Sequence, residues 1–307
     1  MKKLLISILF VLAGLFVVDR LGGMAMWWVC QHTHDVSGPK IKYLASDVYA
    51  DVVLMGTSRC NSHYVPSIIS DTLGCSVYNG GIDGSDNIFS HYITLNFILS
   101  KHKPKVICLE LMPSDFEKQP DPFSTISFFA PYFGKSEGAD SVFRLAGKYW
   151  EYRISHLYRY NAKAISNIAG LAINRNEGGD HGYLPNPQPA QYPTSLAHGF
   201  PITKVDSLKL KYVQKFIDLC RKNNIKLVFV VSPMYVKVDK DYYDPLKAIA
   251  ARNHVPFMDY HTEGLFLDHP DYFRDSNHLW DKGARLYSSI FASDLKRILK
   301  GEKGRWY

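Results

Sequence analysis

Ser58, Asp275 and His278 are the residues whose types and order could support nucleophilic catalysis. Ser58 ends the stretch Asp-Val-Val-Leu-Met-Gly-Thr-Ser, while Asp275 and His278 lie three apart near the other end of the 307-residue chain. A serine hydroxyl is a poor nucleophile until a neighbouring imidazole accepts its proton. A carboxylate then fixes the tautomer of that imidazole and stabilises its charged form. The residue types therefore predict Ser58 as nucleophile, His278 as base and Asp275 as the orienting carboxylate.

The oxyanion formed by such an attack needs hydrogen-bond donors. The candidates are the backbone N–H groups of Ser58 and Gly84, and a glycine lets the backbone approach a substrate closely. Asn87 and Ser114 are side-chain candidates for the same role or for substrate binding. Arg59 either binds an anionic group or pairs with a surface carboxylate, and the sequence favours neither interpretation.

A parallel sheet could bring these distant residues together. Apolar runs predict five strands, and amphipathic patterns between them predict helices. Strand–helix alternation at this spacing indicates right-handed βαβ units in an α/β fold. Ser58 follows the first strand and His278 the last, and the carboxyl ends of such strands are where ligands bind. The predicted strands are 51–55, 75–78, 105–111, 226–231 and 255–258, and the helices are 66–73, 86–100, 206–223, 242–253 and 281–299.

The alternation is interrupted between the third strand and the fourth. Residues 113–201 form a predicted insertion, with helix over 140–174 and a loop rich in glycine and proline after residue 177. A long insertion at this place predicts a lid or substrate-binding region. Its aromatic side chains could contact sugar rings or a membrane surface, although most are expected to form the insertion's own core. The α/β domain is predicted to comprise 51–112 and 202–300, with a tail at 301–307.

The N-terminus has the pattern of a membrane-targeting segment. Lys2 and Lys3 precede an apolar run to Val18, and no small-residue cleavage site follows, so residues 1–29 predict an uncleaved signal anchor rather than a cleaved signal peptide. The positive-inside rule places the two lysines in the cytoplasm and the remaining chain outside it, in the periplasm. Residues 30–50 are predicted to be a linker.

The charge distribution and the spacing of cysteine and histidine residues limit the classes of function that the sequence supports. The net charge of +7 comes from Lys and Arg spread along the chain, so we expect no nucleic-acid partner. The five cysteines form no Cys-x-x-Cys pair, which excludes a zinc ribbon or a thioredoxin-like site. Asp268, His269 and Asp271 precede the predicted base and are metal-ligand types, but they lack the spacing of a helical metal motif. We expect no cofactor.

Three short motifs resemble the SGNH/GDSL hydrolases. They are Gly-Thr-Ser58-Arg, the segment from Asn79 to Gly84, and Asp275-x-x-His278-Leu. This resemblance implies a flavodoxin-like three-layer α/β/α fold and the triad roles given above, with Gly84 as an oxyanion donor. It is greatest for the membrane-anchored group that includes alginate O-acetylation and D-alanyl-transfer proteins.

The resemblance implies a serine esterase or O-acyl (acetyl) transferase that acts on an extracytoplasmic glycan ester, on either a cell-envelope or an exported glycan. It also implies a membrane acyltransferase as a candidate partner. The family's usual Gly-Asp-Ser is Gly-Thr-Ser here. Its Gly-x-Asn-Asp block is missing after the third strand, where Leu-Met-Pro-Ser114-Asp stands instead. An inactive, membrane-tethered glycan-binding or assembly protein is therefore the alternative, and a metal-dependent hydrolase is a further one. Ser58 as a turn residue and His278 or Asp275 as helix caps are the structural alternatives.

Overall fold

The computed structural model describes residues 1–35, 37–173, 179–189, 197–198, 204–239, 241–261 and 264–302. Its centre is a parallel sheet whose apolar strands are buried almost throughout, as expected for central strands. The strands lie in the order β2-β1-β3-β4-β5, and all neighbouring pairs are parallel. The five are β1 (Val52–Met55), β2 (Val77–Asn79), β3 (Val106–Glu110), β4 (Lys226–Val231) and β5 (Phe257–Asp259).

Helices cover both faces of this sheet. Because successive strand residues point to opposite faces, Val53 and Ile107 belong to one core and Val52 and Val106 to the other. The helices are α1 (Lys2–His32), α2 (Gly38–Ser46), α3 (Ser58–His63), α4 (Pro66–Leu73), α5 (Ile88–Leu99), α6 (Glu137–Leu145), α7 (Tyr149–Ile154), α8 (Ala164–Gly170), α9 (Ser207–Lys222), α10 (Asp244–Arg252), α11 (Gly264–Leu267) and α12 (Asp281–Leu299). Helices α2, α5, α9 and α10 pack on the first core, and α4 and α12 on the second.

This strand order is that of flavodoxin-like sheets, so the predicted α/β fold with five parallel strands is confirmed. The boundaries of the fifth strand needed correction. It begins at Phe257 rather than Val255, because the Val255 N–H closes α10 on Ala250 and Pro256 has no N–H to donate. Helix α3, which begins at Ser58 itself, was not predicted.

The insertion is less regular than predicted. The single helix expected over 140–174 is divided into α6, α7, a 3₁₀ turn at Leu157–Tyr160 and α8. Gly147, with φ of 71°, separates the first two pieces because a left-handed residue cannot continue a right-handed helix. Residues 174–178, 190–196 and 199–201 of the predicted insertion, and 303–307 of the predicted tail, lie outside the described residues.

The N-terminal region is a long apolar helix followed by a packed one. Helix α1 is long and apolar enough to cross a membrane, and it is compatible with a single-pass anchor. The prediction of a linker over 30–50 is wrong for the residues of α2, which form a packed helix. Its Ile41, Leu44 and Ala45 are buried in the same core as α5, because its apolar residues form a stripe at helical spacing.

The packing of α2 can be tested by truncating one core side chain. We expect Leu44→Ala to lower the free energy of unfolding by about 2–5 kcal/mol, because a buried leucine leaves a cavity. Tyr49→Ala, at a side chain that is 80% exposed, is the control and should cost less than about 1 kcal/mol. Denaturant unfolding of the full chain in detergent measures both, and equal effects would contradict the assignment of α2 to the core.

Candidate active site

Ser58, His278 and Asp275 lie in one hydrogen-bonded chain at the carboxyl edge of the sheet. Ser58 Oγ lies 2.8 Å from His278 Nε2 across 220 residues of sequence. His278 Nδ1 lies 2.9 Å from Asp275 Oδ1 and 3.0 Å from Oδ2. A carboxylate can only accept, so Nδ1 carries the proton and Nε2 is free to accept one from the serine. The His278 side chain is 26% exposed, so a ligand can approach it from solvent.

The end of β1 presents Ser58 to this edge. Gly56 has φ of 155°, and a Cβ there would lie 2.8 Å from the Cβ of Glu110 on the neighbouring strand. Glycine is therefore required both for the backbone turn and for close strand packing. Ser58 is the first residue of α3, whose earliest intrahelical backbone bond comes from Asn61 to Thr57. The Ser58 N–H is consequently unused by the helix.

A tight turn presents His278. Asp275 Oδ1 accepts the backbone N–H groups of Asn277 at 2.8 Å and His278 at 2.9 Å. The same carboxylate therefore shapes the turn and contacts the imidazole. Burial would raise the pKa of Asp275, but its hydrogen bonds to His278 and to the two backbone N–H groups leave that pKa below the ordinary value. Asp275 thus lies where the predicted orienting carboxylate should lie. It also accepts backbone N–H groups, as a capping residue does, which was its alternative role.

A second histidine, His63, supports this turn from its buried side. His63 Nε2 accepts the Leu279 N–H at 2.9 Å, immediately after the predicted base. Its Nδ1 must then carry the proton and donate to Ser232 Oγ at 2.8 Å, and Ser232 Oγ donates to Glu110 at 2.7 Å. No sequence motif marks His63, because the partners of its side chain, Ser232 and Leu279, lie 169 and 216 residues away in sequence.

Glu110 and Arg59 form an ion pair beneath the site. Arg59 Nη2 lies 2.8 Å from Glu110 Oε1, and the two side chains are 0% and 1% exposed. Burial alone would lower the pKa of Arg59, but the adjacent Glu110 carboxylate raises it overall. Glu110 also accepts from Tyr64 and from the Ser232 N–H. The suggested roles of Arg59 in substrate binding or a surface ion pair are wrong, since its guanidinium faces the interior.

The predicted oxyanion donor Gly84 and the predicted substrate contact Asn87 have different surroundings in the structure. Gly84 lies in a loop fixed by the Ile82 N–H, which donates to Gly56 O at 3.0 Å. Asn87 caps α5 by accepting the Phe89 N–H, and its amide donates to Pro122 O at 2.7 Å. The side chain of Asn87 is 2% exposed, so its expected contact with substrate is wrong: the amide is already committed to the fold.

Ser114 remains a candidate donor. It lies in the 3₁₀ turn Pro113–Asp115 that replaces the expected asparagine block. Its Oγ is buried, and no hydrogen-bond partner for it lies within the described residues. The start of this segment is adjacent to the nucleophile loop, because Thr57 Oγ1 donates to Met112 Sδ at 3.4 Å.

A part of the insertion, residues 184–186, crosses the same edge of the sheet. The Leu184 N–H donates to Asn61 O at 3.0 Å, and Asn186 Nδ2 donates to Leu279 O at 2.9 Å. These contacts connect the insertion with α3 and with the turn of His278. Residues 184–186 are therefore next to the candidate site, which agrees with the substrate-binding role predicted for part of the insertion and leaves that role a prediction.

The alternative metal site does not come together in the described ranges. No group of three His, Cys, Asp or Glu side chains there is arranged to hold an ion. Asp271 pairs instead with Lys282, with 3.2 Å between Oδ2 and Nζ. His278, which follows this cluster in sequence, contacts Ser58 and Asp275 instead.

Comparison with known proteins gives distant structural likenesses. No protein-family model matches the chain, and no curated protein matches it. An acetyl xylan esterase structure has 14% sequence identity and a TM-score of 0.42, covering 80% of this chain and 99% of its own. A protein from Bacteroides fragilis NCTC 9343 assigned as an acylhydrolase has 13% identity and a TM-score of 0.39, covering 84% and 95%. These likenesses are too distant to assign this chain to a family.

The buried His63 predicts a pH dependence of stability. Burial, with His278 and Arg59 nearby, lowers the pKa of His63 well below its ordinary value of 6.5. The unfolded chain therefore binds a proton that the folded chain does not, and stability is full above about pH 6.5 and falls as the pH decreases from there. We expect His63→Gln to reduce this loss of stability. A single histidine can contribute at most about 1.4 kcal/mol per pH unit to the loss.

Denaturant unfolding between about pH 5.5 and 7 measures this effect. The control is His181→Gln at an exposed histidine, which should keep the wild-type slope. Identical slopes in all three proteins would contradict the neutral, accepting state of His63.

Proposed function

We propose that the protein is a serine-dependent acyl-ester hydrolase or O-acyltransferase of the SGNH type. The observation that carries this proposal is the chain from Ser58 Oγ through His278 to Asp275, with separations of 2.8 and 2.9 Å. The three side chains lie at the carboxyl edge of a parallel sheet, where ligands bind in this architecture. The short motifs around Ser58, Gly84 and His278 support the same family.

In the proposed reaction, His278 Nε2 accepts the Ser58 hydroxyl proton as Oγ attacks the ester carbonyl carbon. Asp275 stabilises the imidazolium that results, and the N–H groups of Ser58 and Gly84 donate to the oxyanion. Collapse breaks the bond to the alcohol, which leaves with the proton from His278. Water or a sugar hydroxyl then attacks the carbonyl carbon of the acyl-enzyme while His278 accepts its proton. The bond between the acyl group and Ser58 Oγ breaks, and His278 returns the proton to Ser58 Oγ.

We propose acetyl or another small acyl group on an extracytoplasmic glycan as the substrate. Two features support this choice: an N-terminal helix able to anchor the chain, and a site edge open to solvent beside residues 184–186. A sugar acceptor makes the protein a transferase, and water makes it a hydrolase. The alternative, a glycan-binding protein without turnover, is favoured only by the absence of the family's asparagine block.

The nucleophile can be tested with small acetyl esters. We expect Ser58→Ala to lower kcat by at least about 10³-fold, because the attacking group is removed. Its control is Ser62→Ala, one turn later in α3, which should retain most activity. Release of acetate by the purified full chain, and labelling of Ser58 by a fluorophosphonate, provide the two measurements.

Three results would redirect the assignment. Equal rates for wild type and Ser58→Ala would remove Ser58 as nucleophile. Activity that a chelator abolishes and Ser58→Ala retains would favour the metal-dependent alternative. Absence of turnover and of fluorophosphonate labelling, with glycan binding intact, would favour the binding protein.

The proposed side-chain donor is Ser114. We expect Ser114→Ala to lower kcat by about 10²-fold with little change in KM, because an oxyanion donor acts mainly in the transition state. Asn87→Ala is the comparison, and it should reduce stability through loss of a helix cap while having a smaller effect on kcat in the folded enzyme. Steady-state kinetics with unfolding curves separates these effects, and unchanged kcat in Ser114→Ala would exclude its hydroxyl.

A further inference from the structure

Large apolar side chains are exposed at several places in the insertion. Four of them lie on α7 and on the 3₁₀ turn that follows it. Tyr152, between them, is buried, so the segment is packed rather than loose. The four, here called the apolar rim, are Trp150 (67% exposed), Ile154 (68%), Leu157 (41%) and Tyr158 (36%).

The apolar rim is fixed beside one level of α1. Asp19 accepts the backbone N–H groups of His156 at 2.9 Å and Leu157 at 3.1 Å. Arg20 Nη2 donates to Ile154 O at 3.1 Å. The backbone also comes close, because a Cβ on Gly23 would lie 2.5 Å from the Cβ of His156. The charged residues that interrupt the apolar helix thus hold the rim in place.

That level is where a membrane span would end. The large apolar side chains from Leu4 to Val18 are all exposed, and Asp19 is the first acidic residue of α1. A helix over residues 2–18 is about 26 Å long at 1.5 Å per residue, slightly less than the roughly 30 Å hydrocarbon core. Asp19 therefore lies at the outer boundary of a bilayer, and the segment bonded to it lies at the same depth.

The composition of the rim matches this depth. Trp and Tyr are enriched at membrane interfaces because their rings are amphipathic. Arg153, between Trp150 and Ile154 in sequence, is exposed, and a cation here can contact anionic headgroups while its stem covers apolar surface. An apolar face beside a membrane helix, with a basic residue at its edge, is complementary to a lipid surface.

We propose that the apolar rim is a lipid-docking surface that enters the outer headgroup region beside α1. It gives the domain a second membrane contact and limits its rotation about the anchor. Helix α8 provides an internal comparison, since Gly170 O accepts the His34 N–H at 3.1 Å. His34 follows the end of α1 at His32, which lies about 20 Å further along the helix than Asp19. The exposed Ile168 of α8 should therefore lie outside the lipid.

The test uses the full chain in vesicles of phosphatidylcholine and phosphatidylglycerol in equal parts. A fluorescent probe is attached at Ile154→Cys or Trp150→Cys, with Ile168→Cys (52% exposed in the native chain) as matched control. Cys75→Ser removes the partly buried cysteine, and the other four are buried. Quenching by a lipid nitroxide near the headgroup and by aqueous iodide is then compared.

We expect lipid quenching at positions 150 and 154 to exceed that at 168 several-fold, with the reverse order for iodide. Equal quenching at the three positions would overturn the proposal. Protection from iodide without lipid quenching would also overturn it, and would indicate contact with another protein copy. The proposal rests on membrane insertion of α1, so release of the chain by alkaline carbonate would overturn both. Ester turnover is a separate measurement, and its failure leaves the docking result unaffected.

Discussion

The buried pair of Arg59 and Glu110 is the interaction on which the candidate site depends. Both charges are removed from water, so each needs the other and additional hydrogen bonds, and loss of one partner from such a pair typically costs about 3–5 kcal/mol. Arg59 follows Ser58 directly. Glu110 accepts from Ser232, which connects through His63 to the N–H of Leu279, next to His278. One network therefore supports both Ser58 and His278.

This network explains how two loops separated by most of the chain can be held at hydrogen-bond distance. The parallel sheet brings the ends of β1, β3 and β4 together, but strand pairing alone leaves the side chains at those ends free to rotate. Buried polar contacts remove that freedom, because each donor that loses its partner inside the protein carries a desolvation cost. A site positioned to about 0.5 Å requires such support from the residues behind it.

Residue types and periodicity predict the sheet and the proximity of Ser58, His278 and Asp275. Apolar strand runs, and the residue types that follow them, can be read directly from short stretches of sequence. They failed for Arg59 and Asn87, whose partners come from β3 and from residue 122. They do not reveal that His63 contacts the turn of His278, and they predict a linker where α2 packs. In each case the deciding contact is tertiary, and a polar side chain near a predicted site does not reveal whether it faces the ligand or the core.

Helix α2 also connects α1 with the candidate site. Its Lys40 is buried and donates to Gly182 O at 2.7 Å and to Asn61 in α3, and burial lowers the pKa of Lys40 to about 8. The segment after α1 is thus bonded to the helix that begins with Ser58 and to the insertion that crosses the site. A free tether would let the site sample many distances from the bilayer. A packed connection, together with the proposed docking of the apolar rim, would fix that distance, and the proposed ester substrates would then be those carried near the membrane surface.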